Sequence, residues 1–241
     1  MSPLVVAVAQ PLCVSHDVAA NAVAHAAAVC SADARVVVFP ELSLTGYELD
    51  ATAITADDPR LAPIVEACAA AGSVALVGAP LRGDYIAMFA VDGAGSTVVY
   101  RKMWLGTAEA ERFVPGEATA VYEVDGWRLG LAICKDTGVP RHADDTAALG
   151  IDAYVAGVVE SAGELDRQNE RARRVAVDHR VWVATAGFAG STGGGYEHAA
   201  GCSAIWAPGG EVIAQAGPEP GALARATFAE KVKRSGAMIG N

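Results

Sequence analysis

WRLGLAICKDTGVP, residues 127–140, is the stretch on which the reading of this chain turns. Trp127–Ile133 is apolar apart from Arg128, as expected for a buried strand. At Cys134 the character changes abruptly to Lys135, Asp136 and Thr137, and Gly138 and Pro140 close the run. A cysteine where a strand breaks into a turn projects its thiol outward, and the following backbone N–H can face a developing oxyanion, as in a nucleophile elbow. The competing reading is a core thiol, because free cysteine is among the most buried residue types. Cys13, Cys30, Cys68 and Cys202 lack the strand-then-polar-turn context and read as small core hydrophobes, which singles out Cys134.

Outward from this stretch, short β-branched runs alternate with alanine-rich helical ones. On the N-terminal side, Leu4–Ala9, Arg35–Phe39 and Ser73–Gly78 read as strands, and Asp17–Cys30 and Leu61–Ala71 as helices. Asp84–Val91, Thr97–Tyr100 and Ala120–Val124 follow, separated by Gly or Asp turns that suggest hairpins. Beyond Cys134 come a helix at Asp144–Leu149, a strand at Asp152–Ala156, a long helix at Glu164–Arg180 and a strand at Trp182–Ala186. Cys202–Trp206 and Val212–Ala216 flank APGGE as a closing hairpin. In the long helix Ala172, Val175, Ala176 and His179 form a core-facing stripe, leaving Arg171, Arg173 and Arg174 for a solvated or subunit-facing surface. Mixed βα and hairpin units imply an α/β chain with either one mixed sheet or a pair of sheets and helices packed outside, read as one domain over residues 1–241.

Two further segments also join an apolar strand to a polar residue. In VVVFPELSLTGY, residues 36–47, Glu41 follows a strand that Pro40 ends, so its carboxylate falls at the carboxyl edge of a sheet. Partial burial there would raise its pKa and suit it to general-base work, whereas the plainer reading is a loop carboxylate capping a helix or pairing with an arginine. In VVYRKMWLGTAEAERFVPGE, residues 98–117, Lys102 sits between a strand and apolar Met103 and Trp104. Its ammonium could stabilise an oxyanion; the commoner role is a snorkelling lysine at a strand end.

Taken together, FPELSLTGY with Glu41, YRKMWL with Lys102 and LGLAICKD with Cys134 resemble the nitrilase-like carbon–nitrogen hydrolase family, which carries a Glu-Lys-Cys triad in this order. The resemblance extends to LVVAVAQ, ERFVPGE, RARRVAVDHRVWVATA and GCSAIWAPGGEVIAQA. It implies a four-layer α-β-β-α sandwich of two mixed sheets with helices outside, and pairing as a homodimer or higher homo-oligomer. It also implies a second glutamate between Lys and Cys; the spacing to Phe113 selects Glu109, with Glu111 a near neighbour, and this glutamate reads equally as an exposed helical carboxylate paired with Arg112. The implied activity is cysteine-dependent hydrolysis of a non-peptide C–N bond. A small aliphatic or ω-carboxylated amide is favoured, a nitrile or N-carbamoyl amide being the alternative, and a non-catalytic binding relative a further one. The loop after the nucleophile departs from the family pattern, so substrate does not follow from it. The backbone N–H of Lys135 would share the oxyanion with Lys102, and the Lys135 side chain could hold a substrate carboxylate or point to solvent. No metal or organic cofactor is implied.

The remaining features mainly exclude. The chain has 241 residues and a formal net charge of −10, which disfavours nucleic acid and anionic membrane as partners. Five cysteines without a CxxC pair suggest neither a disulfide framework nor a zinc site, and the five histidines lack HxxxH spacing. With no signal-like N-terminus or membrane-length apolar run, a cytoplasmic setting is expected. Gly190–Gly195 resembles a phosphate loop only superficially and reads as a flexible loop near the site.

Overall fold

The computed structural model describes residues 2–229. Strand β1 (Leu4–Ala9) shows how its layers arise: Leu4, Val6 and Val8 join one apolar cluster, and Ala7 and Ala9 join another. Side chains alternate across a strand, so a strand buried on both faces must lie between two packed layers. Helices α1 (Val18–Ala32) and α2 (Ala62–Ala71) cover the alanine face through Val18, Ala22, Val29, Ile64 and Ala67. Asp17 caps α1, its side chain accepting from the Ala20 amide at 3.0 Å.

The first sheet pairs β1 with β2 (Val36–Val38), β3 (Val74–Leu81), β4 (Tyr85–Asp92) and β5 (Gly95–Arg101) in that order. The first three strands run parallel and the last two continue as hairpins. The second sheet runs from β6 (Ala120–Val124) through β7 (Trp127–Ile133) and β8 (Ala153–Val158) to β9 (Trp182–Gly187), then to the hairpin Ala204–Trp206 and Val212–Gln215. Leu129, Leu131, Ile133 and Val155 face the valines of the first sheet, forming the central apolar layer. Ala132, Tyr154, Ala156 and Val158 face outward against α3 (Pro140–Ala148) and α4 (Leu165–His179), through Ala143, Ala172, Val175 and Ala176. The result is the expected four-layer α-β-β-α sandwich.

Several expectations need correction. Leu223–Phe228 adds an edge strand antiparallel to β1 that the hydropathy pattern does not mark, because its residues alternate in exposure and its partner is about 220 residues away. Helix α3 begins at Pro140, four residues before the expected start; proline at the first helical position fits its fixed φ. Cys30 is exposed rather than part of the core. His179 is partly exposed and pairs with Asp144 at 3.4 Å, so the apolar stripe of α4 ends at Ala176. Of the three helix arginines only Arg173 stays on the surface, paired with Glu170, while Arg171 and Arg174 turn inward.

Both sheets close on the peptide that carries Glu41. A Cβ on Gly78 of β3 would lie 2.4 Å from the Leu42 amide nitrogen and 2.8 Å from the Pro40 carbonyl oxygen. From the other side, a Cβ on Gly157 of β8 would lie 2.5 Å from the Phe39 carbonyl oxygen and 2.8 Å from the Glu41 amide nitrogen. Neither contact is with a flexible side-chain end, so any side chain there forces backbone apart. Gly157→Ala is therefore expected to cost about 1–3 kcal/mol, read as a lower urea midpoint at unchanged slope. An unchanged midpoint would show that the clamp is loose.

Candidate active site

Glu41 leaves the end of β2 in a tight turn: Leu42 has φ of 53°, and the Ser43 and Thr45 amides donate back to Pro40 and Leu42. The carboxylate is 1% exposed. Its Oε1 accepts from Lys102 Nζ at 2.6 Å, whereas Oε2 finds no donor among the described residues. Burial pushes the Glu41 pKa up to about 8, because the Lys102 charge only partly compensates and Glu109 adds repulsion.

Lys102 follows β5, its amide held by the Ile86 carbonyl at 2.8 Å and its carbonyl by the Gly116 amide at 2.7 Å. Nζ also donates to both Glu109 oxygens, at 2.7 and 2.8 Å. Burial alone would drive the amine neutral, but Glu41, Cys134 and Glu109 outweigh it and hold the pKa above the ordinary lysine value. Glu109 takes two more donors: Tyr47 Oη at 2.6 Å and the Gly106 amide at 2.6 Å. Burial works against its charge, yet Lys102 and these donors prevail and keep its pKa below the usual carboxylate range. One ammonium thus serves two buried carboxylates whose environments push their pKa values apart, the pattern that separates a proton carrier from a fixed counter-ion.

Cys134 ends β7 and opens a 3-10 turn with φ of 43°, a left-handed conformation that costs a non-glycine residue about 1–3 kcal/mol. The residue as a whole is half-buried; its sulfur donates weakly to the Val159 carbonyl at 3.6 Å, and its carbonyl accepts from Thr137 Oγ1 at 2.7 Å. Burial, and then Glu41, push the thiol well above its ordinary pKa, with Lys102 pulling the other way. Glu41, Lys102, Glu109 and Cys134, spread over three segments of sequence, therefore lie in one cluster. Lys135 is exposed, and its ammonium donates to the Leu105 carbonyl at 2.5 Å. Glu111 is exposed, outside the cluster.

Several residues of this neighbourhood were not singled out from sequence. Tyr47 lies inside the FPELSLTGY segment, so its position was a signal left unused. Asp136 is fully buried and ties three elements together, accepting from the Ile133 and Trp104 amides, each at 2.9 Å, and from Tyr100 Oη at 2.7 Å. With Tyr100 donating to Asp136, the chain Tyr100–His142–Tyr154, at 2.9 and 2.8 Å, places the imidazole proton on Nε2 of a neutral ring. Burial lowers the His142 pKa and favours that neutral form. Arg174 donates to the Thr137 carbonyl at 3.2 Å, and the Arg171 guanidinium packs so closely on Gly138 that a Cβ there would lie 2.9 Å from its carbon. Both arginines clamp the turn after Cys134 onto α4. Gly190–Gly195 adjoins the cluster: Thr192 Oγ1 accepts from the Tyr47 amide, and the Tyr196 ring meets Tyr47 edge-on at 5.4 Å.

The model of the carbon-nitrogen hydrolase family matches residues 5–233. The chain belongs to the carbon–nitrogen hydrolase family. Among curated relatives, a hydrolase of Pseudomonas protegens is 31% identical over 80% of this chain and 71% of its own length. An (R)-stereoselective amidase from a Pseudomonas species is 27% identical over 80% of this chain and 73% of its own length. Among solved structures, an amidase of the nitrilase superfamily from Nesterenkonia superposes with a TM-score of 0.85 at 23% identity, covering 95% of this chain and 92% of that one. A Saccharomyces cerevisiae member of branch 10 of the nitrilase superfamily gives 0.82 at 23% identity, covering 96% and 92%. At that identity the structural likenesses speak for the fold. No helix among the described residues is long and apolar enough to cross a membrane.

Proposed function

We propose that this carbon–nitrogen hydrolase is an amidase, converting a small linear aliphatic amide to its acid and ammonia through a thioester on Cys134. The observation that carries the reading is the free Oε2 of a buried, high-pKa carboxylate beside a thiol, with its other oxygen held by an ammonium. Such a carboxylate is ready to accept a proton and to return it.

Glu41 takes the Cys134 proton as sulfur attacks the amide carbon, and the Lys102 ammonium and the Lys135 backbone N–H meet the charge developing on oxygen. Glu41 then gives the proton to the leaving nitrogen; the C–N bond breaks, ammonia departs and the thioester remains. Water yields a proton to Glu41 and attacks the same carbon. Collapse expels the sulfur, which recovers the proton. Glu109, fixed by Tyr47 and the Gly106 amide, keeps Lys102 charged and in place throughout. The scheme calls on no metal or organic cofactor.

The (R)-stereoselective amidase among the curated relatives supports the amide over the nitrile or carbamoyl reading. An ω-carboxylated substrate has less behind it, since the Lys135 ammonium is already committed to Leu105. The test is an ammonia-release screen of short amides, nitriles and N-carbamoyl compounds, with intact-mass detection of the intermediate. An acyl adduct on Cys134 from an amide is expected. Turnover confined to nitriles, or carbon dioxide released with the ammonia, would replace the amidase reading.

A further inference from the structure

The Cys134 carbonyl and the Lys135 N–H belong to one planar trans peptide, so whatever holds the carbonyl turns the N–H the opposite way. That N–H is one of the first amides of the 3-10 turn Cys134–Gly138, and such amides have no partner within their own turn. The carbonyl is held by Thr137, whose hydroxyl lies 2.7 Å from it and 3.1 Å from Gln168 Oε1 on α4. Thr137 is 1% exposed and Gln168 2%, so this line from helix to nucleophile is shut off from solvent.

Arg171 Nη1 lies 3.4 Å from the same Oε1. A guanidinium only donates, which fixes the amide oxygen on the Thr137 side. Nε2 is then a buried donor with no acceptor among the described residues, an arrangement that folded proteins rarely leave uncompensated. Gln168 borders a cavity of about 10 Å³ that Glu160, Thr185 and Ser203 also line. One water fits such a space, and these walls supply the polar partners it needs. Glu160 has acceptor capacity to spare, since its carboxylate meets Arg171 and Arg167 only at 3.3 and 3.9 Å.

We propose that Thr137 and Gln168 are positioning residues of the oxyanion site: they set the tilt of the Cys134–Lys135 peptide and so aim its N–H, while one water bound between Gln168 and Glu160 keeps the Gln168 amide in place. The proposal rests on Cys134 being the nucleophile of the amidase reading and adds the groups that orient its oxyanion donor. Neither side chain acts on the substrate itself. A donor aimed where charge develops favours the transition state over the bound substrate, so tilting it lowers kcat and leaves KM alone.

The experiment compares Thr137→Val, Gln168→Leu and the double variant with wild type on valeramide. Each single variant is expected to lose about tenfold in kcat at unchanged KM. The double variant should lose no more than either alone, because both act on one peptide; independent contributions would multiply to about a hundredfold. Thr137→Ser keeps the hydroxyl and should keep the wild-type kcat. Iodoacetamide loses iodide from a saturated carbon and builds no oxyanion, so it should label Cys134 at the same rate in every variant. Unchanged kcat in the single variants, multiplying losses, or labelling that falls in step with kcat would each overturn the proposal. Should Gln168→Leu not fold, the Thr137 pair decides, and a serine variant no better than the valine one would refute the assignment. A crystal structure of the wild type should show a water within hydrogen-bond distance of both Gln168 Nε2 and Glu160; a dry cavity would overturn the bridge. If valeramide is not hydrolysed at all, the amidase reading has failed. Valeraldehyde, which takes up the thiol to form a tetrahedral oxygen, then reads the oxyanion site without turnover. It should protect Cys134 from iodoacetamide about tenfold less well in Thr137→Val than in wild type, and equal protection would count against the aiming role.

Discussion

Glu41→Gln is expected to lower kcat by a factor on the order of 10³, the loss typical when a positioned proton acceptor becomes an amide of the same shape. Gln cannot take the Cys134 proton, and the thiol, held well above its ordinary pKa by burial and by Glu41, supplies little thiolate unaided. The wild-type pH profile gives the same group a signature. The working form of Glu41 before the first step is the carboxylate, and its pKa is raised to about 8 rather than lowered. Wild-type kcat/KM should therefore fall about tenfold per pH unit below about 8, not below the ordinary carboxylate range near 4. The residual rate of Glu41→Gln should lack that limb. A wild-type limb near 4, or a variant within tenfold of wild type, would remove Glu41 from the role of base.

Lys102→Met should lose both turnover and stability. The ammonium is 1% exposed and is the hydrogen-bonding cation of two buried carboxylates. Removing one member of such a buried group leaves uncompensated charge, typically costing 3–5 kcal/mol. The pH dependence has a definite sign. In the wild type Glu109 has a lowered pKa, so its contribution to stability is present above the unfolded carboxylate value and lost as pH falls through the folded one. Without Lys102, burial pushes Glu109 up instead of down and Glu41 further up than it already stands, so acid stabilises the variant relative to wild type. The gap in Tm between the two proteins should be widest at neutral and alkaline pH and narrow as pH falls towards 5. A gap that does not depend on pH would mean that lost packing, not lost charge, accounts for the damage.

What sequence made legible was local. Glu41, Lys102 and Cys134 each stand where an apolar strand gives way to polar residues, and a strand end is readable from its own neighbours. The alternation of strands and outer helices followed from the same rhythm, whereas the division into two sheets came from the family resemblance. The contacts that hold the site were not local: Asp136 gathers amides from Trp104 and Ile133 and a phenol from Tyr100, none implied by spacing. Arg171 and Arg174 looked like surface charge because a helix wheel shows which face a residue lies on, not how far its side chain reaches back. Gly78 and Gly157 did carry a signal, since glycine inside a strand often marks close approach of another backbone. The edge strand Leu223–Phe228 had none, because its identity comes from β1 at the other end of the chain.

The pincer of Gly78 and Gly157 divides labour within the molecule. The main chain of the proton acceptor is pinned in the interior between the two sheets, while Lys135 and Tyr196 sit on connections outside the sheets. Those connections can be exchanged, lengthened or recharged without shifting the acceptor, so the reaction and the choice of reactant can change independently over the history of such a chain.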